Sequence, residues 1–233
     1  MTATQNPGPA EPAAPARPSE APPKDRFMRL LVLLLGMLVL APLLHEVIDL
    51  LFIDDVFLTA VFIYAAYSFS RNKLLLSALI GLALPAIFAT WAGGLVKAQW
   101  LTVLGGVCDA AFVATLTVAT LAHIFRERDV SGDVIAGAIV VYLLLAVMWS
   151  QIYFVLETLR PGSFALAHET GPATLALLRY FSIVTITTVG YGDIVPVSAA
   201  ARAFANLEAI VGQLYLVIQV AWLVGMHVSM RSR

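Results

Sequence analysis

The sequence predicts an all-α integral membrane protein with six membrane-crossing helices and one shorter re-entrant helix. Of the 233 residues, 60% are hydrophobic and only 12% are charged, which is too few charges to cover the surface of a soluble domain. The mean hydropathy is +0.88. The apolar residues also stand in long blocks rather than in amphipathic stripes, as in helices whose solvent is lipid.

The positions of the helices follow from the lengths of these blocks, because a helix needs about 20 apolar residues to cross a bilayer. The predicted crossings are residues 27–44, 51–69, 74–91, 100–125, 134–156 and 201–226. A further apolar segment, 173–185, is too short to cross. It is therefore predicted to enter and leave the membrane on the same side.

Lysine and arginine predict the orientation, because short cytoplasmic loops carry an excess of both. With six crossings, one side of the membrane holds Lys24, Arg26, Arg29, Arg71, Lys73, Arg126, Arg128, Arg231 and Arg233, and the other holds Lys97, Arg160, Arg179 and Arg202. The first side also holds both ends of the chain. We therefore expect a multi-pass protein of a cell membrane, a bacterial inner membrane, with both termini cytoplasmic.

Three regions differ in composition. Residues 1–25 are rich in proline and alanine, cannot bury a core, and are predicted to be a disordered tail. Residues 26–129 contain the first four crossings and are predicted to form a four-helix transmembrane domain. Residues 130–233 contain the last two crossings with the re-entrant segment between them.

The re-entrant segment carries the most informative string of the chain. A helix is expected to start at Gly171 and Pro172, since proline at the first helical position loses no needed hydrogen bond. The string TTVGYGD follows it at residues 187–193. Non-helical backbone inside a bilayer persists only where protein or a water-filled cavity satisfies it. An extended strand with glycines at 190 and 192 can direct its carbonyl oxygens towards an axis and replace the hydration shell of an ion.

From about residue 134 to its end, the chain resembles the pore module of tetrameric potassium channels: outer helix, pore helix, selectivity filter and inner helix. In that family the threonine-to-glycine run of the filter binds dehydrated potassium ions. The resemblance implies this role for Thr188, Val189, Gly190, Tyr191 and Gly192, with potassium held at the first four. We call residues 188–192 the filter segment.

The resemblance also implies residues that support the filter segment: Thr187, Asp193, Tyr180, Phe181, Val184 and Glu157. Asp193 matches an acid that braces the filter from behind. Tyr180 and Phe181 stand where many members carry two tryptophans, so they are expected either to brace the filter or to pack within the pore helix. Val184 replaces a glutamate of some bacterial members. Glu157 is expected either to tether the outer helix to the filter loop or to face solvent.

The whole chain resembles a bacterial family of six-helix subunits with a single pore module, through the run LEAIVGQLY at residues 207–215 and through residues 159–164. A filter of this kind needs four strands around one axis, and the sequence contains a single copy. We therefore expect a homotetramer, most simply a closed ring, surrounded by membrane lipids.

The sequence leaves alternatives open for the gating residues and for the stimulus that opens the channel. The fourth predicted helix, 100–125, contains no lysine or arginine, so weak or absent voltage sensing is expected. Asp109 in this helix is expected to be either a structural hydrogen-bonding group or a proton sensor. Gly212 and Gly225 of the inner helix are expected to serve either as hinges or as packing positions. No cytoplasmic ligand-binding domain is expected, and lipid, protons, tension or a basal leak remain open as the stimulus.

Several function classes are disfavoured. The sequence contains no nucleophile–base set, metal motif or phosphate loop, so we expect no enzyme, and no cofactor besides potassium as the permeant ligand. A net charge of −1 gives no reason to expect nucleic acid as a partner. A potassium transporter subunit, a weakly selective cation channel and a non-conducting regulatory subunit are the alternatives to a potassium-selective channel subunit.

Overall fold

The structure is a computed structural model, and it describes residues 25–47, 53–69, 72–96, 98–127, 130–167 and 171–231. Almost all of the predicted N-terminal tail lies outside these ranges. The first half of the described chain comprises α1 (Arg26–Leu35), a π-helical turn (Gly36–Leu40), α2 (Ala41–Val47), α3 (Ile53–Ser68), α4 (Lys73–Val96) and α5 (Gln99–Ile124). The second half comprises α6 (Gly132–Leu159), β1 (Phe164–Leu166), α7 (Leu175–Ile186), β2 (Ile194–Pro196) and α8 (Ala199–Arg231).

A helix stands at each of the six predicted crossings and at the predicted re-entrant segment. Within the described residues, four helical stretches are long and apolar enough to cross a membrane: Arg26–Leu44, Gln99–Ile124, Gly132–Leu159 and Ala199–Met226. The apolar stretches Val56–Ser68 and Lys73–Ala89, at the second and third predicted crossings, are shorter. Helix α7 has 12 residues, about 18 Å at 1.5 Å per residue, which is too short to cross.

The chain is mostly helical, as the all-α prediction requires, and it contains in addition an antiparallel pair formed by β1 and β2. Phe164 pairs with Pro196, and Leu166 pairs with Ile194. The two strands lie on either side of α7 in the chain, so the pair closes the loop that α7 and the filter segment form. Each strand has only three residues, and the two strands are about 30 residues apart in the chain. Strands this short show no alternating pattern by which the sequence could predict them.

Helices α5 and α1 pack against α6 of the same chain. At Gly106 of α5, an added Cβ would lie 2.7 Å from Cγ2 of Val155 in α6. At Gly137 of α6, it would lie 3.1 Å from Ile124 and from Phe27. Small residues let neighbouring helix backbones approach closely in a membrane. These close contacts therefore place α5 and the start of α1 beside α6.

The start of α1 is also attached to α6. Oδ1 of Asp133 accepts hydrogen bonds from the backbone N–H groups of Phe27, at 2.9 Å, and Met28, at 3.1 Å. The first N–H groups of a helix have no partner within it, and a carboxylate satisfies them and complements the helix dipole. Asp133 thus attaches the N-terminal end of α1 to the start of α6.

Candidate functional site

Helix α7 leads directly into the filter segment. The helix begins after Thr174, whose Oγ1 accepts a hydrogen bond from the N–H of Leu177 at 3.4 Å. It ends at Ile186, where the hydroxyl of Tyr142 on α6 donates to the last carbonyl at 2.9 Å. An orphan carbonyl at a helix C-terminus needs such a donor when water is excluded. The end of α7, and with it the start of the filter segment, is therefore held by α6.

The backbone of the filter segment alternates in the sign of φ. Thr188, Gly190 and Gly192 have φ angles of 59°, 60° and 80°. The left-handed region was expected at the two glycines, which adopt it without steric cost. Thr188 is the only non-glycine residue with a positive φ within the described residues. For a residue with a Cβ this conformation costs roughly 1–2 kcal/mol, so Thr188 is held there by its surroundings.

The N–H groups of the filter segment are turned back towards α7. The carbonyl oxygen of Val184 accepts from the N–H of Val189 at 3.0 Å and from that of Gly190 at 3.3 Å. The N–H of Thr188 donates to the carbonyl of Thr185 at 2.9 Å. None of the hydrogen bonds within the described residues ends on a carbonyl oxygen of residues 188–192. Val184 thus contributes to the filter segment through its backbone carbonyl.

Tyr180 contacts the outer end of the filter segment. Its ring stacks on that of Tyr191, with centroids 6.3 Å apart and planes 7° from parallel. Its hydroxyl donates to Oδ2 of Asp193 at 2.8 Å. This hydrogen bond joins α7 to the residue that follows the filter segment. Tyr180 and Asp193, both predicted as support, therefore lie together.

Phe181, the other half of the predicted aromatic pair, faces away from the filter segment of its own chain. It is buried, and its ring lies edge-on to those of Tyr153 and Phe164, with centroids 5.3 Å away in both cases. Its contacts are with α6 and β1 rather than with residues 188–192. Thr187, also predicted as support, donates its hydroxyl to the carbonyl of Ile183 at 2.6 Å and so extends the last turn of α7.

Glu157 is buried at the outer end of α6, with 3% of its surface exposed. Its Oε1 accepts from the N–H of Gly162 at 2.8 Å and its Oε2 from that of Phe164 at 3.3 Å. It therefore holds the loop before α7 rather than the filter segment itself. The connection continues through the β1–β2 pair and through the N–H of Ala167, which donates to the carbonyl of Asp193 at 2.9 Å.

The predicted gating residues lie apart from one another. Gly212 of α8 is buried against the end of α7, where an added Cβ would lie 2.5 Å from Cγ1 of Ile186. At Gly225 the same Cβ would meet nothing within 4 Å in this chain. Asp109 is buried within α5, with 6% of its surface exposed. The geometry at Gly212 is that of a packing position.

A buried polar cluster behind α7 was not predicted. Its centre is Glu208 of α8, which is fully buried and bonded to Ser182 of α7 and to Tyr153 of α6. Glu208 belongs to the run that carried the resemblance of the inner helix, yet nothing local indicates its partners. The sequence signal that could have found Glu208 is an acid within an apolar helix, because such an acid usually faces the protein interior and pairs with other polar groups.

Replacing Tyr180 with phenylalanine tests the support of the filter segment. Tyr180→Phe keeps the ring that stacks on Tyr191 and removes the hydroxyl that donates to Asp193. We expect a severalfold loss of ion flux in liposomes with the assembled protein retained, because the outer end of the filter loses its attachment to α7. Asp193→Asn keeps an acceptor oxygen and should lose less. Flux equal to wild type in Tyr180→Phe would show that this hydrogen bond does not support the filter.

Comparison with known proteins agrees with this geometry. The model of a family described as ion channel matches residues 133–227, which span α6, α7, the filter segment and most of α8. The inward rectifier potassium channel Kirbac3.1 of Paramagnetospirillum magnetotacticum is 32% identical over 81 residues, which cover 33% of this chain and 24% of that channel. This chain thus matches about a quarter of the length of that relative. No solved structure matches the chain. Residues 133–227, which contain α7 and the filter segment, are thus similar to a family of ion channels.

Proposed function

We propose that this chain is the subunit of a potassium-selective channel that conducts K⁺ passively across a membrane. The observation that carries the proposal is the filter segment: φ is positive at every second residue, and the N–H groups of Val189 and Gly190 bond back to Val184. In an ordinary strand successive carbonyls point to opposite sides, and reversing φ at alternate residues can bring them to one side. A ring of carbonyls on one side of four TVGYG strands is what replaces the hydration shell of K⁺.

The filter also supports an assembly of four chains. One chain supplies one strand, and a carbonyl ring needs four, so a closed homotetramer is the simplest arrangement. In the single chain the apolar side chains of Leu214, Val217 and Val224 on α8 are more than half exposed. In the assembly these would be covered by neighbouring subunits or by lipid. The relative named above is a potassium channel, which supports the same ion for this chain.

The membrane arrangement follows from the same proposal. The chain crosses a bacterial inner membrane six times with both termini in the cytoplasm, and α7 enters from the outer side. Residues 26–129 form the four-helix domain and residues 130–233 the pore domain. A mass in mild detergent corresponding to four chains is the expected result, and a conducting monomer would contradict the assembly.

A flux assay on the purified protein in liposomes tests the selectivity. We expect uptake of rubidium or potassium, no uptake of sodium, and block by barium. Equal sodium uptake would identify a weakly selective cation channel instead. Absence of uptake for every cation, from a protein that is folded and assembled, would indicate a non-conducting regulatory subunit.

Voltage dependence is expected to be weak. Each charge that moves through the membrane is worth about 2.3 kcal/mol per 100 mV, and voltage sensors move several arginines per subunit. Helix α5, the fourth crossing, contains neither arginine nor lysine between Gln99 and Ile124. A steep conductance–voltage relation in planar bilayers free of divalent cations would overturn this expectation.

A further inference from the structure

The polar cluster behind α7 joins all three helices of the pore domain through one carboxyl group. Glu208 of α8 is 0% exposed, and its Oε2 accepts from the hydroxyl of Tyr153 on α6 at 2.5 Å. Its Oε1 is bonded to Oγ of Ser182 on α7. Ser182 stands two residues before Val184, whose carbonyl holds the N–H groups of the filter segment. A displacement of α7 at Ser182 is thus passed directly to the filter.

A count of hydrogens at Ser182 indicates the protonation state of Glu208. Oγ of Ser182 contacts two oxygens, Oε1 of Glu208 and, at 2.8 Å, the carbonyl oxygen of Ala146. A hydroxyl has one hydrogen to donate, and both of these oxygens are acceptors if the carboxyl is ionised. A neutral carboxylic acid resolves the conflict: Glu208 donates to Ser182, Ser182 donates to Ala146, and Tyr153 donates to the other carboxyl oxygen. Every polar atom of the cluster then has a partner.

The surroundings also favour the neutral acid, because no ion pair to Glu208 is formed within the described residues and a buried carboxylate without such a partner is costly. The hydroxyl of Tyr142, also on α6, donates to the carbonyl of Ile186 at the end of α7. On α8 itself the nearest titratable residues are Arg202, which is exposed and donates to the carbonyl of Pro196, and Tyr215, which donates to the carbonyl of Ala138. The titratable, charged or hydroxyl groups around the carboxyl are thus Tyr142 and Tyr153 of α6, Ser182 and, one turn earlier, Arg179 of α7, and Arg202 and Tyr215 of α8.

We propose that Glu208 is a positioning residue for ion selection: a neutral carboxylic acid that locks α7 between α6 and α8. The inference rests on the proposed function. When the acid loses its proton, it can no longer donate to Ser182, and the hydroxyl of Ser182 must abandon either Ala146 or Glu208. The end of α7 then loosens, and the carbonyls of the filter segment lose their fixed spacing. Selectivity for K⁺ over Na⁺ should therefore decline at alkaline pH.

The flux ratio of potassium to sodium in liposomes, measured from neutral to alkaline pH, tests the proposal. Glu208→Gln supplies an amide N–H for Ser182 and a carbonyl for Tyr153, so it should keep the wild-type ratio at neutral pH and lose the alkaline decline. Glu208→Ala should lower the ratio about tenfold at every pH, as expected when buried hydrogen-bonding groups are left unpaired. Glu127→Gln removes an exposed acid and should leave the alkaline decline of the wild type unchanged.

The proposal is overturned if Glu208→Gln shows the same alkaline decline as the wild type, or if its ratio at neutral pH falls as far as that of Glu208→Ala. Infrared spectroscopy separates this outcome from failure of the proposed function. The wild type should show the C=O stretch of a buried carboxylic acid that disappears on alkaline titration and is missing in Glu208→Gln. A wild type that conducts nothing but shows this band refutes the channel function and leaves the protonated acid standing. A conducting wild type without the band refutes the inference alone.

Discussion

Gly190→Ala should reduce potassium flux at least tenfold while the assembled protein remains in the membrane. Gly190 has φ of +60°, a conformation that costs a residue with a Cβ roughly 1–2 kcal/mol. Four subunits would carry this cost within one ring of carbonyls. A methyl group at Gly190 meets nothing within 4 Å in the chain, so the expected effect comes from backbone strain rather than from a clash. We expect at least a tenfold loss of rubidium uptake. The strain of one residue is roughly 1–2 kcal/mol, and ~1.4 kcal/mol corresponds to a factor of ten.

Gly162→Ala is the matched control, because Gly162 also has a positive φ, +83°, and also has space for a Cβ. It lies in the loop between α6 and β1, and its N–H group, which bonds to Glu157, is retained in alanine. Similar backbone strain is thus introduced at both sites. Uptake that falls equally in the two variants would mean that general destabilisation, rather than the filter segment, explains the loss.

The positions of the helices were predictable because lipid imposes a simple rule on composition. Each crossing was recognisable as an apolar block, and helices α5 and α6 begin and end within a few residues of the predicted bounds. Within the first crossing, the π-helical turn at Gly36–Leu40 was missed, because an apolar block looks the same in either kind of helix. The β1–β2 pair was missed because its strands are brought together by the return of α7, which is a tertiary event.

The filter segment was recognisable from the sequence, but the contacts that hold it were not. The two glycines predict positive φ angles, whereas Thr188 has a positive φ angle that a residue with a Cβ rarely adopts. The carbonyl of Val184 holds the strand, and any residue has a carbonyl, so no side chain could reveal it. Tyr142 and Glu208 act on α7 from helices that are distant in the chain, and such contacts follow only from the packing of α6 and α8 against α7.

Gly212→Ala should destabilise the protein and reduce flux, because the position is occupied by the end of α7. The added Cβ would lie 2.5 Å from Cγ1 and 3.2 Å from the carbonyl oxygen of Ile186. Overpacking of this kind costs about 1–3 kcal/mol. The strain falls where the carbonyl of Ile186 accepts from Tyr142 and where the filter segment begins two residues later. We expect a lower melting temperature of the assembly and a loss of rubidium uptake.

Two further variants distinguish packing from a hinge at Gly212. Gly225→Ala, in the same helix, adds a methyl group with nothing within 4 Å in the chain and should leave the melting temperature nearly unchanged. Ile186→Ala removes the side-chain atom that the new methyl group would strike. The double variant should therefore be more stable than the sum of the single effects predicts, with a coupling of about 0.5–3 kcal/mol. Rescue will be partial, because the carbonyl of Ile186 stays in place. A hinge makes the opposite prediction: Gly212→Ala would alter opening without changing the melting temperature, and Ile186→Ala would not correct it.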